Sequence, residues 1–256
     1  MDKRVAVVTG AGQGIGRRTA EVLAGRGYSL ALNDIRPITG TLGADAIEVL
    51  GDVSSESDVA RIAQAVEQHY GHVDVLVNNA GISFIRPAEE TGAEEWRRVL
   101  EVNLTGPFLM CRSFGKMMLA RGSGAIVNVA SVAGLAGIGD RAAYNASKHG
   151  LIGLTRTLAS EWGGRGVRTN AVCPGWVKTE MDEADQAGGF YSDADIENRV
   201  PMGRFARPNE IAEAIAFLAD PALSGFINGM ELRVDGGWLA DGSWDRLRIE
   251  HRRVSK

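Results

Sequence analysis

Hydrophobic positions along the chain fall into two alternating patterns. Short runs rich in Val, Ala and Leu occur at Val5 to Val8, Leu30 to Asn33, Ile47 to Leu50, Val73 to Val77, Ala125 to Val129 and Thr169 to Val172, with a last one near Glu231 to Val234. Between them lie longer amphipathic stretches of helical period, at about 14–26, 56–70, 94–120, 143–163 and 208–219. A strand that is apolar on both faces belongs in a parallel sheet whose two sides are covered by helices. The alternation therefore predicts a doubly wound α/β fold, Rossmann-like, with about seven parallel strands and helices on both faces.

No internal repeat, low-complexity tract or Pro/Ser-rich linker divides the chain, so residues 1–256 are expected to form a single domain. A formal net charge of -4 and a pI near 5.7 provide no general attraction for nucleic acid or an anionic membrane. No apolar run approaches the ~20 residues of a membrane span. Met1-Asp2-Lys3-Arg4 leads straight into the first short run rather than a signal peptide. Cys111 and Cys173 lack C-x-x-C spacing and sit in hydrophobic segments, which predicts buried thiols in a reducing compartment. These features lead us to expect a cytoplasmic protein without a metal, a nucleic-acid partner or a membrane attachment.

Candidate chemistry begins where the first strand ends, in Thr9-Gly10-Ala11-Gly12-Gln13-Gly14-Ile15-Gly16, with a helix following at once. Backbone N–H groups and a helix N-terminus then converge on one small volume, which suits a pyrophosphate. The spacing is T-G-x-x-x-G-x-G, at Thr9, Gly10, Gly14 and Gly16; neither G-x-G-x-x-G nor a P-loop is present. Gln13 and Ile15 belong to the same turn. The second strand ends at Asp34, eighteen residues after Gly16, where a carboxylate in a dinucleotide fold accepts hydrogen bonds from ribose hydroxyls. Asp52 and Val53 follow the third strand, and Asn79, Ala80 and Gly81 follow the fourth. Both groups sit on the sheet edge where such folds bind ligands.

After the fifth strand comes Ser131, and thirteen residues later Tyr144 opens Tyr144-Asn145-Ala146-Ser147-Lys148. Tyr and Lys at i and i+4 share a helix face. A phenol with an unperturbed pKa of about 10 is a poor base at neutral pH, but a nearby ammonium stabilises the phenolate. The pair can then move a proton at an alcohol oxygen that Ser131 holds.

With these residues in hand, the chain resembles the short-chain dehydrogenase/reductase family, of the single-domain type, from Val5 to about Gly237. The marks are Thr9-Gly10-x-x-x-Gly14-x-Gly16, Asn78-Asn79-Ala80-Gly81, Asn103, Ser131, Tyr144-x-x-x-Lys148 and Pro174-Gly175. The resemblance implies that Tyr144 is the general acid/base, that Lys148 holds the nicotinamide ribose and tunes Tyr144, and that Ser131 positions substrate. It implies that Asn103 kinks its helix and anchors a water leading to Lys148. It also places Pro174, Gly175, Val177 and Thr179 at the cofactor, Thr179 at its carboxamide. A homotetramer is expected, pairing helices 105–120 and 143–162.

Two segments depart from the family pattern. Only seventeen residues separate Asp34 from Asp52, and Arg36-Pro37-Ile38-Thr39-Gly40 is a poor helix start, so the crossover there is expected to shrink to a turn. A tail at about 238–256, including Trp244, is longer than the simplest members need, and we expect Trp244 to pack at a subunit contact.

The segment 176–207 is expected to form a lid in which Trp176, Met181, Phe190 and Tyr191 mix with Asp182, Glu183, Asp185 and Asp193. So acidic a lid disfavours multiply anionic substrates. The expected function is NAD-dependent interconversion of a secondary alcohol (a neutral polyol, sugar or simple alcohol) and its ketone. NADP is disfavoured because its 2′-phosphate would meet Asp34, although Arg36 and Arg17 lie near enough to oppose that. The alternatives are a 3-oxoacyl thioester or steroid-like ketone reductase, and a non-catalytic dinucleotide-binding regulator. A hydrolase fits poorly, since Ser131 lacks a G-x-S-x-G setting and His69, His72, His149 and His251 offer no triad partner or zinc motif.

Overall fold

The computed structural model describes residues 3–40, 45–244 and 247–248. In chain order the elements are β1 (Val5–Thr9), α1 (Gly14–Gly25), β2 (Ser29–Asp34), β3 (Ala46–Leu50), α2 (Glu56–Tyr70), β4 (Val75–Asn78), α3 (Ala93–Leu100), α4 (Gly106–Arg121), β5 (Gly124–Val129), α5 (Ala142–Trp162), β6 (Val167–Pro174), α6 (Glu180–Ala187), α7 (Asp193–Arg199), α8 (Pro208–Ala219), α9 (Pro221–Ser224) and β7 (Glu231–Val234). The seven strands make one sheet in the order β3-β2-β1-β4-β5-β6-β7, parallel at every pairing. This is the doubly wound fold that the alternating pattern predicts.

Successive strand residues point to opposite faces, and here both faces are buried. Val5 and Val7 of β1 pack with Ile62 and Val66 of α2 and Phe114 of α4, whereas Ala6 and Val8 pack with Leu23 of α1 and Ile215 of α8. An unbroken apolar run is thus required, since each Leu or Ile fully buried there is stabilised by ~1.5–3 kcal/mol relative to exposure. The sheet is also tied to α5 by buried polar groups. Asn78 faces Asn128 across β4 and β5 and donates to its Oδ1 at 2.8 Å; Asn128 in turn donates to Thr155 Oγ1 on α5 at 2.9 Å.

The connections leave the sheet in opposite directions on either side of β1 and β4, and this reversal opens a crevice at the strands' C-terminal ends. Ser55 caps α2 by accepting from the Asp58 amide at 3.3 Å, and Gly71, at φ 73°, ends it. By contrast, α1 begins after Gln13 with no side-chain cap.

The helix expected at 94–120 is instead three segments, because a π-helical stretch, Glu101–Thr105, separates α3 from α4. Pro107 lacks the N–H that would bond the Asn103 carbonyl in a regular α-helix, so the hydrogen-bond register shifts there. Between β2 and β3 the described residues contain no helix, in line with the short spacing; Ile38 N donates to Glu48 Oε1 at 2.8 Å instead. The segment 176–207 carries α6 and α7, capped by Thr179 and Ser192. Of the tail, Trp238–Ala240 form a single 3-10 turn and Trp244 is 70% exposed, while residues 249–256 lie outside the described residues. Cys111 and Cys173 are buried free thiols, both pushed up to about 12 by burial. No helix among the described residues is long and apolar enough to cross a membrane.

Candidate active site

The crevice holds a cavity of about 540 Å³. At one end stands the glycine turn. Gly10 (φ 62°) and Gly14 (φ 54°) adopt left-handed backbone that side chains resist, and both line the cavity with Gln13 and Ile15. The uncapped start of α1 directs its first N–H groups and the positive end of its dipole to this wall, an arrangement that favours an anion.

Thr9 and Gly16, expected among the cofactor contacts, do not line the cavity; they stand behind its wall. Thr9 Oγ1 accepts from the Asn79 and Ala80 amides, each at 3.0 Å, and so ties β1 to the loop after β4. A Cβ on Gly16 would lie 2.1 Å from the Gly10 carbonyl oxygen, so this glycine lets the helix close onto the turn. Asn79 completes the brace by donating to Thr9 O at 3.0 Å and Gly10 O at 3.1 Å, and it still lines the cavity with Ala80 and Gly81.

Asp34 also lines the cavity. Its Oδ2 accepts from Gly12 N at 3.0 Å and its Oδ1 from Arg36 N at 3.2 Å. Arg36 donates to Gln13 Oε1 at 3.3 Å, and Arg17 donates to the Thr39 carbonyl at 2.7 Å. Asp52 and Val53 form the adjoining wall. Although burial alone would raise Asp52, hydrogen bonds from Ser54 and the Arg98 guanidinium hold it below the usual carboxylate value.

Ser131, Tyr144 and Lys148 meet at the other end of the cavity. Ser131 leaves β5 in extended backbone, and its Oγ accepts from Ala133 N at 3.1 Å. Lys148 is only 4% exposed; its Nζ donates to Val129 O at 2.8 Å and lies 5.5 Å from the Tyr144 ring centroid. Burial lowers Lys148 to about 8. Burial likewise raises the Tyr144 phenol, against which Ser131 and the Arg141 guanidinium pull it down and Asp185 pushes it up. The Arg141 guanidinium is thus a cation beside the phenol that the sequence did not point to, in addition to the Lys148 ammonium.

Asn103 also stands behind the cavity wall. Its amide accepts from Ile82 N at 2.8 Å and donates to Ile82 O at 2.9 Å and Ser147 Oγ at 3.3 Å. It therefore links the π-helical stretch to the loop after β4 and to α5. A Cβ on Gly81 would lie 3.3 Å from Asn103 Oδ1 and 3.8 Å from Lys148 Nζ, so that glycine lets the two approach. Pro174, Gly175, Val177 and Thr179 line the cavity below α6.

Sequence reasoning missed Arg141 and Ser83, both of which line the cavity. Arg141 Nη1 donates to Ser83 Oγ at 2.9 Å and Nη2 to Asp185 Oδ2 at 3.0 Å. The available signal was its place three residues before Tyr144, at the start of the helix that carries it. The lid adds Trp176, edge-on to Tyr191 at 5.1 Å, and the buried Asp182, which accepts from Tyr191 OH at 2.9 Å.

Residues 10–239 match a family model described as enoyl-(acyl carrier protein) reductase. The chain is 42% identical to a D-threitol dehydrogenase from Mycolicibacterium smegmatis, over 93% of this chain and 94% of that protein. It is 41% identical to a galactitol 2-dehydrogenase (L-tagatose-forming) from Cereibacter sphaeroides, over 93% and 96% of the two. Among solved structures, one described as an NAD(P)-dependent gluconate 5-dehydrogenase from Beutenbergia cavernae, with NADP bound at low occupancy, superposes with a TM-score of 0.86 at 43% identity, covering 93% of this chain and 97% of that one.

Proposed function

The chain belongs to the short-chain dehydrogenase/reductase family and is an oxidoreductase acting on CH–OH groups, and we propose that it interconverts a neutral polyol and its ketone with NAD rather than NADP. The observation that carries this reading is one cavity with an uncapped helix N-terminus and Asp34 at one end and Ser131, Tyr144 and Lys148 at the other. The residues present fit a dinucleotide: the glycine turn leaves space where side chains would intrude, α1 offers N–H groups to a pyrophosphate, and Asp34 offers acceptors to a ribose. When bound, the nicotinamide ring supplies the hydride acceptor or donor.

The chain's own residues handle the proton. In oxidation the Tyr144 phenolate oxygen would take it from the carbinol oxygen, and in reduction the Tyr144 hydroxyl would give it back. Ser131 Oγ hydrogen-bonds that same oxygen and fixes its orientation. Lys148, held on the Val129 carbonyl, presents its ammonium to the ribose side of the phenol. Asn103 positions the loop after β4 against α5. Met181, Asp182 and Asp185 of α6, with Tyr191 beyond it, line the cavity on the lid side.

Asp34 favours NAD because a 2′-phosphate beside it would meet like charge. Arg36 and Arg17 support the opposite reading, as does the NADP held by a solved relative. Neutral polyols follow from an acidic lid whose Asp185 already pairs with the buried Arg141 guanidinium, and from the threitol and galactitol named for two relatives. The test is turnover of polyols, simple secondary alcohols and a 3-oxoacyl thioester with both cofactors, in the parent and in Asp34→Ala. We expect polyols to be fastest, and a preference for NAD of at least ~10-fold that Asp34→Ala largely removes, the size of one charged contact. A parent that prefers NADP, or that reduces the thioester fastest, overturns the corresponding half of the proposal.

A cytoplasmic homotetramer of 256-residue single domains belongs to the same proposal. Phe108 on α4 and the fully exposed Phe226 support assembly, being large apolar groups left open on one chain. Light scattering of the purified protein at micromolar concentration should give four copies; a monomeric mass removes this part.

A further inference from the structure

We propose that Arg141 and Asp185, braced by Ser83, form a subsite that reads a hydroxyl on the carbon next to the reacting carbinol, so that the site selects vicinal diols over lone alcohols and carboxylates. The inference rests on the oxidoreductase reading above and names the feature of the substrate that the site recognises.

Arg141 is 7% exposed, and a guanidinium withdrawn that far from water persists only when paired. Its partner comes from the lid: Asp185 lies on α6, whereas Arg141 immediately precedes α5 and Ser83 follows β4. The backbone beneath Arg141 is strained and clamped. Asp140, at φ 58°, is the one non-glycine residue with positive φ among those described, and its carbonyl accepts from Arg86 N at 2.7 Å. Aspartate is one of the few side chains that take up this backbone, and the bond from Arg86 N holds it there. Its effect here is to set Arg141 between two rings of the cavity wall, 5.9 Å from the Tyr144 centroid and 5.5 Å from that of Trp176.

Hydrogen-bonding capacity is left over at this spot. Ser83 Oγ donates to Asp185 Oδ2 at 2.9 Å, and Arg141 Nη2 ends on the same oxygen. Asp185 Oδ1 has no protein partner among the described residues, and Asp185 borders the cavity. The guanidinium uses only part of its five N–H donors. A hydroxyl donates one hydrogen bond and accepts others, so it can donate to Asp185 while accepting from Arg141 without parting them. A carboxylate would have to compete with Asp185 for the guanidinium and would meet its charge. A lone alcohol would leave the open oxygen without its donor once the lid excludes water. At 5.9 Å from the Tyr144 ring centroid, the guanidinium stands beside the reacting end, where a hydroxyl on the carbon adjoining the carbinol carbon would lie.

A simple latch between α6 and α5 would slow every substrate alike, whereas a subsite changes the ratio between substrates. The experiment compares kcat/KM for butane-2,3-diol and butan-2-ol, which share a carbon chain, in the parent, Asp185→Ala and Asp185→Asn. We expect the parent to prefer the diol, and Asp185→Ala to lower the diol-to-alcohol ratio at least ~10-fold, mainly through KM, as loss of a charged hydrogen bond does. Asp185→Asn, which keeps an acceptor oxygen, should restore part of that ratio. A parent without preference for the diol, or a ratio unchanged in Asp185→Ala, overturns the subsite while leaving the reaction assignment intact. A parent that oxidises neither alcohol with either cofactor overturns the reaction assignment itself, and the subsite with it.

Discussion

At the Gly10–Gly16 end of the cavity the wall is mostly backbone, held by Thr9 and Asn79 from two neighbouring strands. At the Arg141–Asp185 end it is side chains, contributed by the start of α5, the loop after β4 and a lid helix far apart in the chain. The first end suits what NAD and NADP share, a charged diphosphate, and backbone N–H groups suffice for that. The second must tell one small molecule from another, which takes donors and acceptors at particular places. Lys148 stands with Tyr144 on the reacting side, buried on the Val129 carbonyl.

If the two ends are separable, a change at one should leave the other's work intact. The largest effect is expected from Tyr144→Phe, which keeps the ring and removes the transferable proton. Turnover should fall at least ~100-fold, while nucleotide affinity, read by fluorescence titration, stays near that of the parent. Retained turnover would remove Tyr144 from its assigned role, and a parallel loss of nucleotide affinity would join the two ends.

Gly16→Ala tests the backbone end. Its Cβ would meet the Gly10 carbonyl oxygen at 2.1 Å and Asn79 Nδ2 at 2.4 Å, so the turn must open to admit it. We expect a stability loss of ~1–3 kcal/mol from overpacking in denaturant titrations, with nucleotide affinity weakened by ~10-fold or more. An unchanged affinity would show that the cradle does not depend on this close approach.

The smallest effect on stability is expected at Lys148. Burial lowers Lys148 from an ordinary 10.5 to about 8, so the unfolded chain holds this proton more tightly than the folded one. Below pH ~8 the charged lysine burdens the fold, and the burden fades as pH rises towards the ordinary lysine value. Lys148→Met removes the charge but leaves the Val129 carbonyl without its donor. The cofactor-free variant should therefore melt ~2–5 °C above the parent near neutral pH, with the gain gone by about pH 10, and be nearly inactive. A lower melting temperature at neutral pH would mean that the Val129 bond outweighs the buried charge.

Much of the nucleotide end was legible beforehand because its parts are close in sequence. Gly10, Gly14 and Asp34 lie on consecutive elements, and their spacing carries the geometry with it. Thr9, Gly16 and Asn103 were found by the same patterns, but a motif does not say whether a residue faces the cavity or supports one that does. Arg141 escaped because an arginine three residues before a tyrosine is ordinary on a helix; its meaning comes from Ser83 and Asp185, 58 and 44 residues away. The break at Glu101–Thr105 falls where the resemblance implied a kink at Asn103, but the hydrophobic period did not show it, since Pro107 acts on a carbonyl four residues earlier and leaves that period intact.

The sequence by itself determined the strands, the helices and their layering, because hydrophobic period and glycine placement act over a few residues and are written in order along the chain. Only the tertiary structure decided which charges meet. The Arg141–Asp185 pair, the burial that draws Lys148 down to about 8, and the pull of Arg141 on Tyr144 depend on the distance and desolvation of groups that folding brings together. Electrostatic interactions vary with separation in space and with access to water, and neither quantity exists until the chain has folded.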